Sequence, residues 1–427
     1  MSVRWLVVDY GTAATVALVC GADGVVAPVR VDGREELPSA VLVNAAGYVT
    51  GADAVRRARI DSDWFRPAPK LELGRSPTAV SDAAQTLRRI AGDARPERVV
   101  LTVPASWPES RRQALADAAV AAGLPSPSLV ARPVAAAAYC TLLPGREVPD
   151  GGAVLVYHLG AGGFEAAVVV RAGDAFEVVA ADTNPTGGLV LDRLAADRFR
   201  EALGEPAHDR RGWMLLLDNA REAREALSRQ ETLEPLNAGA GLLTRGELEA
   251  ALRPALAATV VTARSALAAA GLGDGVPWLL TGRAAATPLV ARLIGGEPLV
   301  LRHPRFAVTA GALLLAGGEP AGLAELTLDE QRTYAVGGGH VTTTWRATAS
   351  TIEELRRRYR LSLPDHAEHP GDRWSRRRDE RGLRHFHDVT LFPAAEPGAA
   401  GLGPAWRIPD HLPTVVREDT AVLPGPN

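Results

Sequence analysis

A polar tip interrupts an apolar stretch at the start of the chain. Residues Val3 to Val19 read VRWLVVDYGTAATVALV, in which Asp9 ends the first apolar run and Gly11-Thr12 forms a turn. Backbone amides of such a turn can face an anion, and an adjacent carboxylate can hold a hydrated cation or a water molecule. The pattern predicts a hairpin with a candidate phosphate site, with ordinary turn chemistry as the alternative.

The same pattern occurs a second time. Residues Ala153 to Val170 read AVLVYHLGAGGFEAAVVV, with Gly160 at the place of Gly11 and His158 at the place of Asp9. Two equivalent glycine turns indicate two facing halves with a cleft between them. This is the plan of the actin-like ATPase fold.

Nine further segments extend the pattern. In chain order they are ELPSAVLV, PKLELGR, RVVLTVPASWPESRRQALADAAVAAGL, LVARPVAAAAYC, DTNPTGGLVLDRL, AREAREALS, LLTRGELEAALRPAL, PWLLTGRAAATPLV and HPRFAVTAGALLLA. Over residues 3–317 they resemble the nucleotide-binding domain of the seventy-kilodalton heat-shock chaperones, the DnaK-like proteins. The resemblance implies an α/β fold of the actin-like ATPase type, with two facing RNase H-like halves, a central cleft and a small C-terminal α+β extension.

The resemblance also suggests domain bounds. We expect a first half over 1–152 with a reduced outer subdomain, and a second half over 153–317 with its outer subdomain near 189–243. Residues 318–427 match neither the linker nor the peptide-binding domain of the chaperones and form an extension of unknown role.

Local signals predict several elements. AAQTLRRIAGD reads as a helix, and capping boxes at Ser106–Glu109 and Thr244–Glu247 predict two helix starts. In the extension, Thr333 to Ser350 predicts a strand pair around a glycine turn, Thr351 to Leu363 a short helix, and LRHFHDVTLF a further strand.

Composition restricts the class of protein. The 427 residues carry a formal net charge of −3, which gives no bulk attraction to nucleic acid or anionic membrane. Arginine clusters at 356–358 and 376–378 alternate with acidic residues, which favours an ion-paired face over a nucleic-acid site. No apolar run is long enough to span a membrane, so we expect a cytoplasmic protein.

A single lysine stands among the basic residues. Of the 47 lysines and arginines, only residue 70 is lysine. In the resemblance Lys70 takes the position of the catalytic lysine that reaches the terminal phosphate. A compact ammonium on a flexible stem suits that role better than a planar guanidinium; an inherited residue without present use is the alternative.

The resemblance assigns the remaining site residues. Asp9, Gly11 and Thr12 match the first phosphate loop, Gly160 and Gly162 the second, and Gly187-Gly188 a later diglycine. Lys70 and Asp9 would be the catalytic residues if the protein is active, and Asp9 is a candidate metal ligand. Gly282, Arg224 and Ser228 match the nucleoside side, so the implied cofactor is ATP or ADP.

Several positions depart from the family pattern. His158 replaces the second-loop aspartate, Gly163 replaces the loop threonine, and Arg132 replaces the glutamate that faces the magnesium waters. A site with these changes should hold Mg²⁺ poorly. Lys70 and Arg132 together could instead neutralise phosphates without a metal.

The nucleoside side and the histidine leave alternatives open. The GGSTR turn reads Gly282-Arg283-Ala284-Ala285-Ala286, Arg221 replaces an acid and Glu225 a base, so adenine recognition is doubtful. His158 could act as a base near neutral pH, but a packed or hydrogen-bonded histidine is the simpler interpretation.

Three functions are compatible with these residues. The leading hypothesis is a DnaK-like protein with a degenerate ATP-binding cleft, which acts by binding a protein partner with weak or no ATP hydrolysis. The alternatives are a slow ATP-hydrolysing chaperone that uses Lys70, Asp9 and Thr12, and a nucleotide-free scaffold that uses the C-terminal region.

Overall fold

A computed structural model describes residues 3–45, 47–142, 147–203, 209–234, 241–296, 298–300, 304–318, 327–336, 339–348 and 416–423. The chain divides into two compact units, residues 1–320 and 321–427. The first unit is a mixed α/β structure with several sheets, as predicted, and its described part holds the helices α1 (Ala52–Ala58), α2 (Pro77–Ala91), α3 (Glu109–Ala121), α4 (Arg132–Tyr139), α5 (Gly188–Arg198), α6 (Arg200–Leu203), α7 (Arg210–Leu227), α8 (Arg245–Ala269), α9 (Pro288–Ile294) and α10 (Pro304–Leu315).

The strands of the first unit form two large and two small sheets. They are β1 (Val3–Tyr10), β2 (Ala14–Gly21), β3 (Val26–Pro28), β4 (Leu37–Pro38), β5 (Val41–Asn44), β6 (Gly47–Thr50), β7 (Phe65–Arg66), β8 (Pro96–Val103), β9 (Ser128–Ala131), β10 (Ala153–Leu159), β11 (Phe164–Ala172), β12 (Ala175–Asn184), β13 (Thr232–Leu233), β14 (Leu243–Thr244), β15 (Trp278–Thr281) and β16 (Leu299–Val300).

The two large sheets have the same strand order. The first runs β3-β2-β1-β8-β9, with β4 also paired to β2, and the second runs β12-β11-β10-β15-β16. In each sheet the first three strands are antiparallel and the last two pair in parallel. The predicted hairpins are therefore confirmed as β1–β2 and β10–β11, and they occupy equivalent central places in the two sheets.

The central strands form because their sequences are apolar on both faces. Leu6, Val7 and Val8 of β1 are completely buried, as are Leu155 and Tyr157 of β10. Strands covered by helices on both sides are near-continuous apolar runs. The two hairpins therefore insert their polar tips at the ends of the most buried strands of the molecule.

Helices α4 and α10 lie between the two large sheets. Helix α4 contacts β10, β11 and β12 of the second sheet and also β8 and β9 of the first. Helix α10 contacts β1, β2 and β8 of the first sheet, and the two helices pack closely on each other. A Cβ added to Gly311 of α10 would lie only 1.8 Å from the carbonyl oxygen of Ala135 in α4. This close backbone approach requires glycine and joins the two sheets.

The outer faces of the sheets are covered separately. Helices α2 and α3 enclose an apolar cluster with β1 and β8, and helices α5, α7, α8 and α9 enclose a second cluster with β10, β11 and β15. The helix predicted from AAQTLRRIAGD is confirmed as part of α2.

One predicted capping box is confirmed and the other is wrong. Thr244 accepts a hydrogen bond from the amide of Glu247 while the Glu247 carboxylate reaches back to Thr244, at the start of α8. Helix α3 instead begins after Pro108 without a side-chain cap. The N-cap residue is Pro108, and the hydroxyl of Ser106 donates to Glu165 on β11.

A small sheet and helix α1 lie beside the first large sheet. Strands β6-β5-β7 pair antiparallel, and their apolar side chains join α1 in a cluster centred on Leu42, Ala54 and Phe65. The side chain of Met214 from α7 packs against this cluster.

The second unit contains a described three-stranded sheet. Its strands are β17 (Thr327–Val336), β18 (Gly339–Thr348) and β19 (Val416–Leu423), in the order β17-β18-β19. The predicted strand pair within Thr333 to Ser350 is confirmed by the antiparallel β17–β18 pairing. The predicted helix at 351–363, the strand from LRHFHDVTLF and the arginine clusters lie outside the described residues. Within the described part of the chain, no helix combines the length and the apolar character that crossing a membrane requires.

Replacement of Gly311 by alanine should destabilise the first unit. The added methyl group would collide with the Ala135 carbonyl, and overpacking of this kind costs about 1–3 kcal/mol. Equilibrium denaturation of Gly311→Ala measures the loss. Gly246→Ala is the matched control, because its Cβ would meet no atom within 4 Å in helix α8; equal stability of the two variants would contradict the prediction.

Candidate functional site

The two hairpin tips, the Lys70 turn and the start of α4 come together at one place. The carboxylate of Asp9, at the end of β1, accepts hydrogen bonds from Arg132 at Oδ1, with Nη2 at 2.6 Å and Nε at 3.2 Å. The hydroxyl of Thr102 on the neighbouring strand β8 donates to the same oxygen at 2.7 Å. The Arg132 side chain is only 6% exposed, so this is a largely buried ion pair.

Charge and hydrogen bonding fix the ionisation of Asp9. Burial alone would raise the pKa of the carboxyl, but the charges of Arg132 and Lys70 and the bonds from Arg132 and Thr102 outweigh it. The pKa of Asp9 therefore lies below its ordinary range, and the residue is a carboxylate at neutral pH.

Lys70 lies in a short 3₁₀ turn, Pro69–Glu72, and is 4% exposed. Its Nζ donates to the carbonyl oxygen of Tyr10 and lies 5.1 Å from the centre of the Trp107 ring. Arg111 covers the same ring at 4.6 Å. Burial, followed by the positive charge of Arg132, lowers the pKa of Lys70 well below its ordinary value.

His158 occupies the equivalent tip position in the second sheet. Its Nδ1 lies 3.0 Å from the hydroxyl of Thr281 on the parallel neighbour β15, as Asp9 is bonded to Thr102 on β8. Burial, with the charge of Arg132 as a smaller contribution, lowers the pKa of His158 to about 3. The hydrogen-bonded interpretation of this histidine is therefore the one that the structure supports, because a neutral ring with so low a pKa is a poor base.

Sequence reasoning missed Glu165. This residue on β11 lies opposite His158 and is 6% exposed. Its Oε1 accepts from the amide of Ser106 at 2.8 Å and from the Ser106 hydroxyl at 2.6 Å, which links the second sheet to the loop after β8. Within the described residues, the buried Oε2 has no hydrogen-bond partner. A lone acid in the apolar run FEAAVVV was the signal that could have identified it.

The glycine loops pack directly against each other. A Cβ on Gly162 would lie 2.6 Å from the hydroxyl oxygen of Thr12, so the tips of the two hairpins are in contact. A Cβ on Gly187 would lie 2.3 Å from the amide nitrogen of Gly163, and the amide of Gly188 donates to the carbonyl of Gly160 at 2.8 Å. Gly282, with a φ of +84°, approaches the Leu159 carbonyl in the same region.

The structure therefore gathers most of the predicted site residues. They are Asp9, Gly11, Thr12, Lys70, Gly160, Gly162, Gly187, Gly188 and Gly282, joined by Arg132 and His158. Arg224 and Ser228 have structural partners on α5 and α7: Arg224 Nε donates to Asp192 at 2.8 Å, and the Ser228 hydroxyl donates to the Arg224 carbonyl at 2.9 Å. Arg221 donates to the second oxygen of Asp192.

The residues present do not fit a magnesium–phosphate group. Oδ1 of Asp9, the candidate metal ligand, already accepts three hydrogen bonds, two of them from a guanidinium. Arg132 forms an ion pair with Asp9, and Lys70 donates to the Tyr10 carbonyl, so both cationic side chains have partners within the chain. The prediction that Lys70 and Arg132 together neutralise phosphates without a metal stays a prediction.

Strand order and loop placement define the class of protein. Two sheets with one strand order, each with a glycine-turn hairpin at its centre, form a mixed α/β structure consistent with an actin-like ATPase fold. A family model described as Hsp70 protein matches residues 80–276. The matched region therefore belongs to the Hsp70 family, as the sequence motifs predicted.

Relatives of the chain are chaperones of the same family. The chain is 29% identical over 364 residues to the chaperone protein HscA homolog of Vibrio atlanticus, covering 73% of the chain and 58% of the relative. It is 35% identical over 235 residues to HscA of Yersinia pseudotuberculosis, covering 52% and 36%. For HscA of Cronobacter sakazakii the values are 31% over 340 residues, 67% and 54%. The chain spans about half the length of these relatives or less.

Removal of the Arg132 guanidinium should destabilise the fold. Arg132→Met leaves the Asp9 carboxylate buried without its main partner, which costs about 3 kcal/mol in free energy of unfolding. The double variant Arg132→Met/Asp9→Asn should recover most of this loss, because no buried charge is left unpaired. Denaturant unfolding of Arg132→Met, Asp9→Asn and the double variant measures the coupling free energy between the two residues. If the losses of the single variants simply add in the double variant, the prediction is wrong.

The buried neutral His158 should make stability depend on pH. Between about 3 and the ordinary histidine pKa, the unfolded chain binds a proton that the folded chain does not, so stability falls as pH decreases through this window. The free energy of unfolding should change by up to about 1.4 kcal/mol per pH unit from this residue. In His158→Asn, the denaturation midpoint should vary less between pH 6 and pH 4 than it does in wild type. A pH profile equal to that of wild type would contradict the assignment of His158 as a buried neutral residue.

Proposed function

We propose that this protein is a divergent DnaK-like protein with a degenerate ATP-binding cleft, and that it acts by binding a protein partner with weak or no ATP hydrolysis. In this proposal the two large sheets are facing RNase H-like halves, 1–152 and 153–317, and the hairpin tips lie at the base of the cleft. Residues 318–427 stay an extension of unknown role in this proposal, and the protein acts in the cytoplasm.

The observation that carries the proposal is the buried Arg132–Asp9 ion pair. In the family resemblance, a glutamate takes the place of Arg132 and faces magnesium waters beside the aspartate of the first loop. Here a guanidinium lies 2.6 Å from that aspartate and supplies the positive charge itself. A divalent cation at this place would have to compete with a fixed cation in a site of low dielectric, which is strongly unfavourable.

The contacts of Lys70 also support weak or absent ATP hydrolysis. Transition-state stabilisation of phosphoryl transfer requires a cation aimed at the position of the terminal phosphate. The Lys70 amine instead donates to the Tyr10 carbonyl and covers Trp107, which is a structural use of the residue. ATP or ADP can then act at most as a weakly bound ligand whose affinity does not depend on Mg²⁺.

Hydrolysis and binding assays test this proposal. Steady-state phosphate release with Mg²⁺ and ATP should not exceed the protein-free blank, and Lys70→Ala should leave that result unchanged. Calorimetric titration of ATP and ADP should show either no heat or weak binding that is the same with and without Mg²⁺. Because Arg132 supplies the positive charge beside Asp9, chelation of divalent metal by EDTA should not alter either assay.

The opposite result identifies the alternative function. Phosphate release that requires Mg²⁺ and is abolished by Lys70→Ala would overturn the proposal and establish a slow ATPase. Arg111→Ala is the matched control for Lys70→Ala, since Arg111 also lies over the Trp107 ring and bonds carbonyl oxygens of the Lys70 turn. Release lost in both variants would indicate a damaged fold instead of a lost catalytic residue.

A further inference from the structure

A groove with a volume of about 700 Å³ opens between the end of strand β3, strand β6 and the last turn of helix α2. Small-molecule sites in proteins commonly have volumes of roughly 300–1,000 Å³, so the groove is large enough for a ligand. Its described lining contains no residue of the hairpin tips, the Lys70 turn or helix α4. The groove is therefore separate from the candidate site.

The groove combines an apolar floor with a charged rim. Val31 and Ile90 line it and are 9% and 3% exposed, because both belong to the apolar cluster under α2 and α3. Asp32, Arg89 and Asp93 line its exposed part. A ligand that fits both surfaces carries an apolar body and a charged group.

The rim holds a carboxylate against a guanidinium at one point. Nη2 of Arg89 donates to Oδ1 of Asp32 at 2.7 Å, and both side chains are about half exposed, at 46% and 51%. Exposed ion pairs of this kind contribute little to the stability of a fold. Asp32 therefore marks a position where Arg89 binds an acidic group, and where the acid of a ligand could replace it.

The turn that carries Asp32 is closed by the backbone. Val31 and Arg34 exchange two backbone hydrogen bonds, at 2.9 and 3.0 Å, around Asp32 with a φ of +53° and Gly33 with a φ of +74°. Positive φ at both central residues is typical of the type I′ hairpin turn. Asparagine also adopts this region of φ, so Asp32→Asn removes the charge and keeps the turn.

Tyr48 of β6 supplies an aromatic wall whose position is fixed from behind. The residue is 41% exposed, and its side chain interacts with Arg66. Arg66 in turn donates from Nη1 to both carboxylate oxygens of Asp82 on α2, at 2.6 and 2.8 Å, and Asp82 is 1% exposed. Because this anchor is made within the chain, the wall is formed before any ligand binds.

The other two arginines of the groove have partners within the chain. Arg88 donates to a side chain of α2 at 2.8 Å and to a carbonyl of α3 at 2.6 Å, and Arg30 donates to Glu35 at 3.0 Å. These two residues add positive charge to the groove. Arg89, which pairs with the exposed Asp32, is the guanidinium best placed to bind a ligand.

We propose that this groove binds a planar aromatic acid, with the ring against Tyr48 and the apolar floor and the acidic group on Arg89 in place of Asp32. A guanidinium binds a pair of acidic oxygens through two parallel N–H bonds, and aromatic rings pack favourably on tyrosine. The site does not depend on the nucleotide state of the cleft, so it can be tested separately from the proposed function.

Fluorescence titration of the full chain with 8-anilinonaphthalene-1-sulfonate tests the site, because this probe is an aromatic acid that fluoresces when it leaves water. Wild type should bind it saturably. Arg89→Met should weaken binding about tenfold, through loss of the charge-assisted hydrogen bonds. Asp32→Asn should strengthen binding about threefold, because it removes the competing carboxylate. Arg253→Met, at an exposed position of α8, is the matched control and should bind as wild type does.

A neutral probe and a milder substitution separate charge recognition from apolar adsorption. N-phenyl-1-naphthylamine has the same rings without the sulfonate, so its affinity should be unchanged in Arg89→Met and in Asp32→Asn. Arg89→Lys, which retains the charge but not the planar fork, should lie between wild type and Arg89→Met in its affinity for the sulfonate. This variant keeps the test valid if Arg89→Met is unstable.

Hydrogen–deuterium exchange locates the bound probe on the chain. A saturating concentration of the sulfonate should slow exchange in residues 29–33, 47–50 and 85–93. Exchange at the hairpin tips, residues 9–13 and 158–164, should be the same with and without the probe.

Three results would overturn the proposal. Equal affinity of wild type, Arg89→Met and Asp32→Asn for the sulfonate would mean that the probe only covers apolar surface. Weaker binding in Asp32→Asn would contradict the replacement of Asp32 by the ligand. Protection at the hairpin tips instead of the groove would place the probe in the cleft. Mg²⁺-dependent phosphate release, which would overturn the proposed function, changes none of these readouts.

Discussion

The ion pair between Arg132 and Asp9 is the interaction on which the site depends. It places a guanidinium against the first-loop carboxylate, in a position where less than a fifth of the Asp9 side chain is exposed. The polar side chains around this guanidinium are arranged to suit its charge. Lys70 donates to the Tyr10 carbonyl, Glu165 accepts from Ser106, and His158 is neutral. A buried carboxylate with a charged hydrogen-bond partner is stable, whereas an unpaired buried charge would not be.

The duplicated hairpin explains how this cluster is assembled. Each hairpin presents one polar residue at the end of a fully buried strand, and each of these residues bonds to a threonine on the adjacent parallel strand. The two hairpins therefore share one backbone arrangement although their tip residues, Asp9 and His158, differ. Helices α4 and α10 bring the two tips together, and Arg132 is the first residue of α4. The position of the ion pair is thus set by the same helix that joins the sheets.

Contacts far from the hairpin tips are also ion pairs and hydrogen bonds within the chain. Salt bridges, hydrogen bonds and an apolar side chain join α7 and Arg283 to the elements around the first large sheet. Exposed ion pairs contribute little singly, but Arg210 contributes two bonds to backbone carbonyls and Met214 contributes apolar burial. The outer contacts and the buried cluster therefore favour the same arrangement of the two large sheets.

Sequence and tertiary structure determined different parts of this protein. The hairpins, most of the helices, the order of the segments and the Hsp70 family followed from the sequence, because apolar periodicity, glycine turns and ordered motifs are local signals. The grouping of Asp9, Lys70, the glycine loops and Arg132 was also expected from the family resemblance. The local sequence pattern wrongly predicted a helix cap at Ser106. The hydroxyl of this residue instead donates to Glu165, which lies 59 residues away in the chain on β11. The ion pair between Arg132 and Asp9 was likewise not predicted from the sequence. Such partners are decided by the packing of the two sheets, since no local rule states which buried charge will face which.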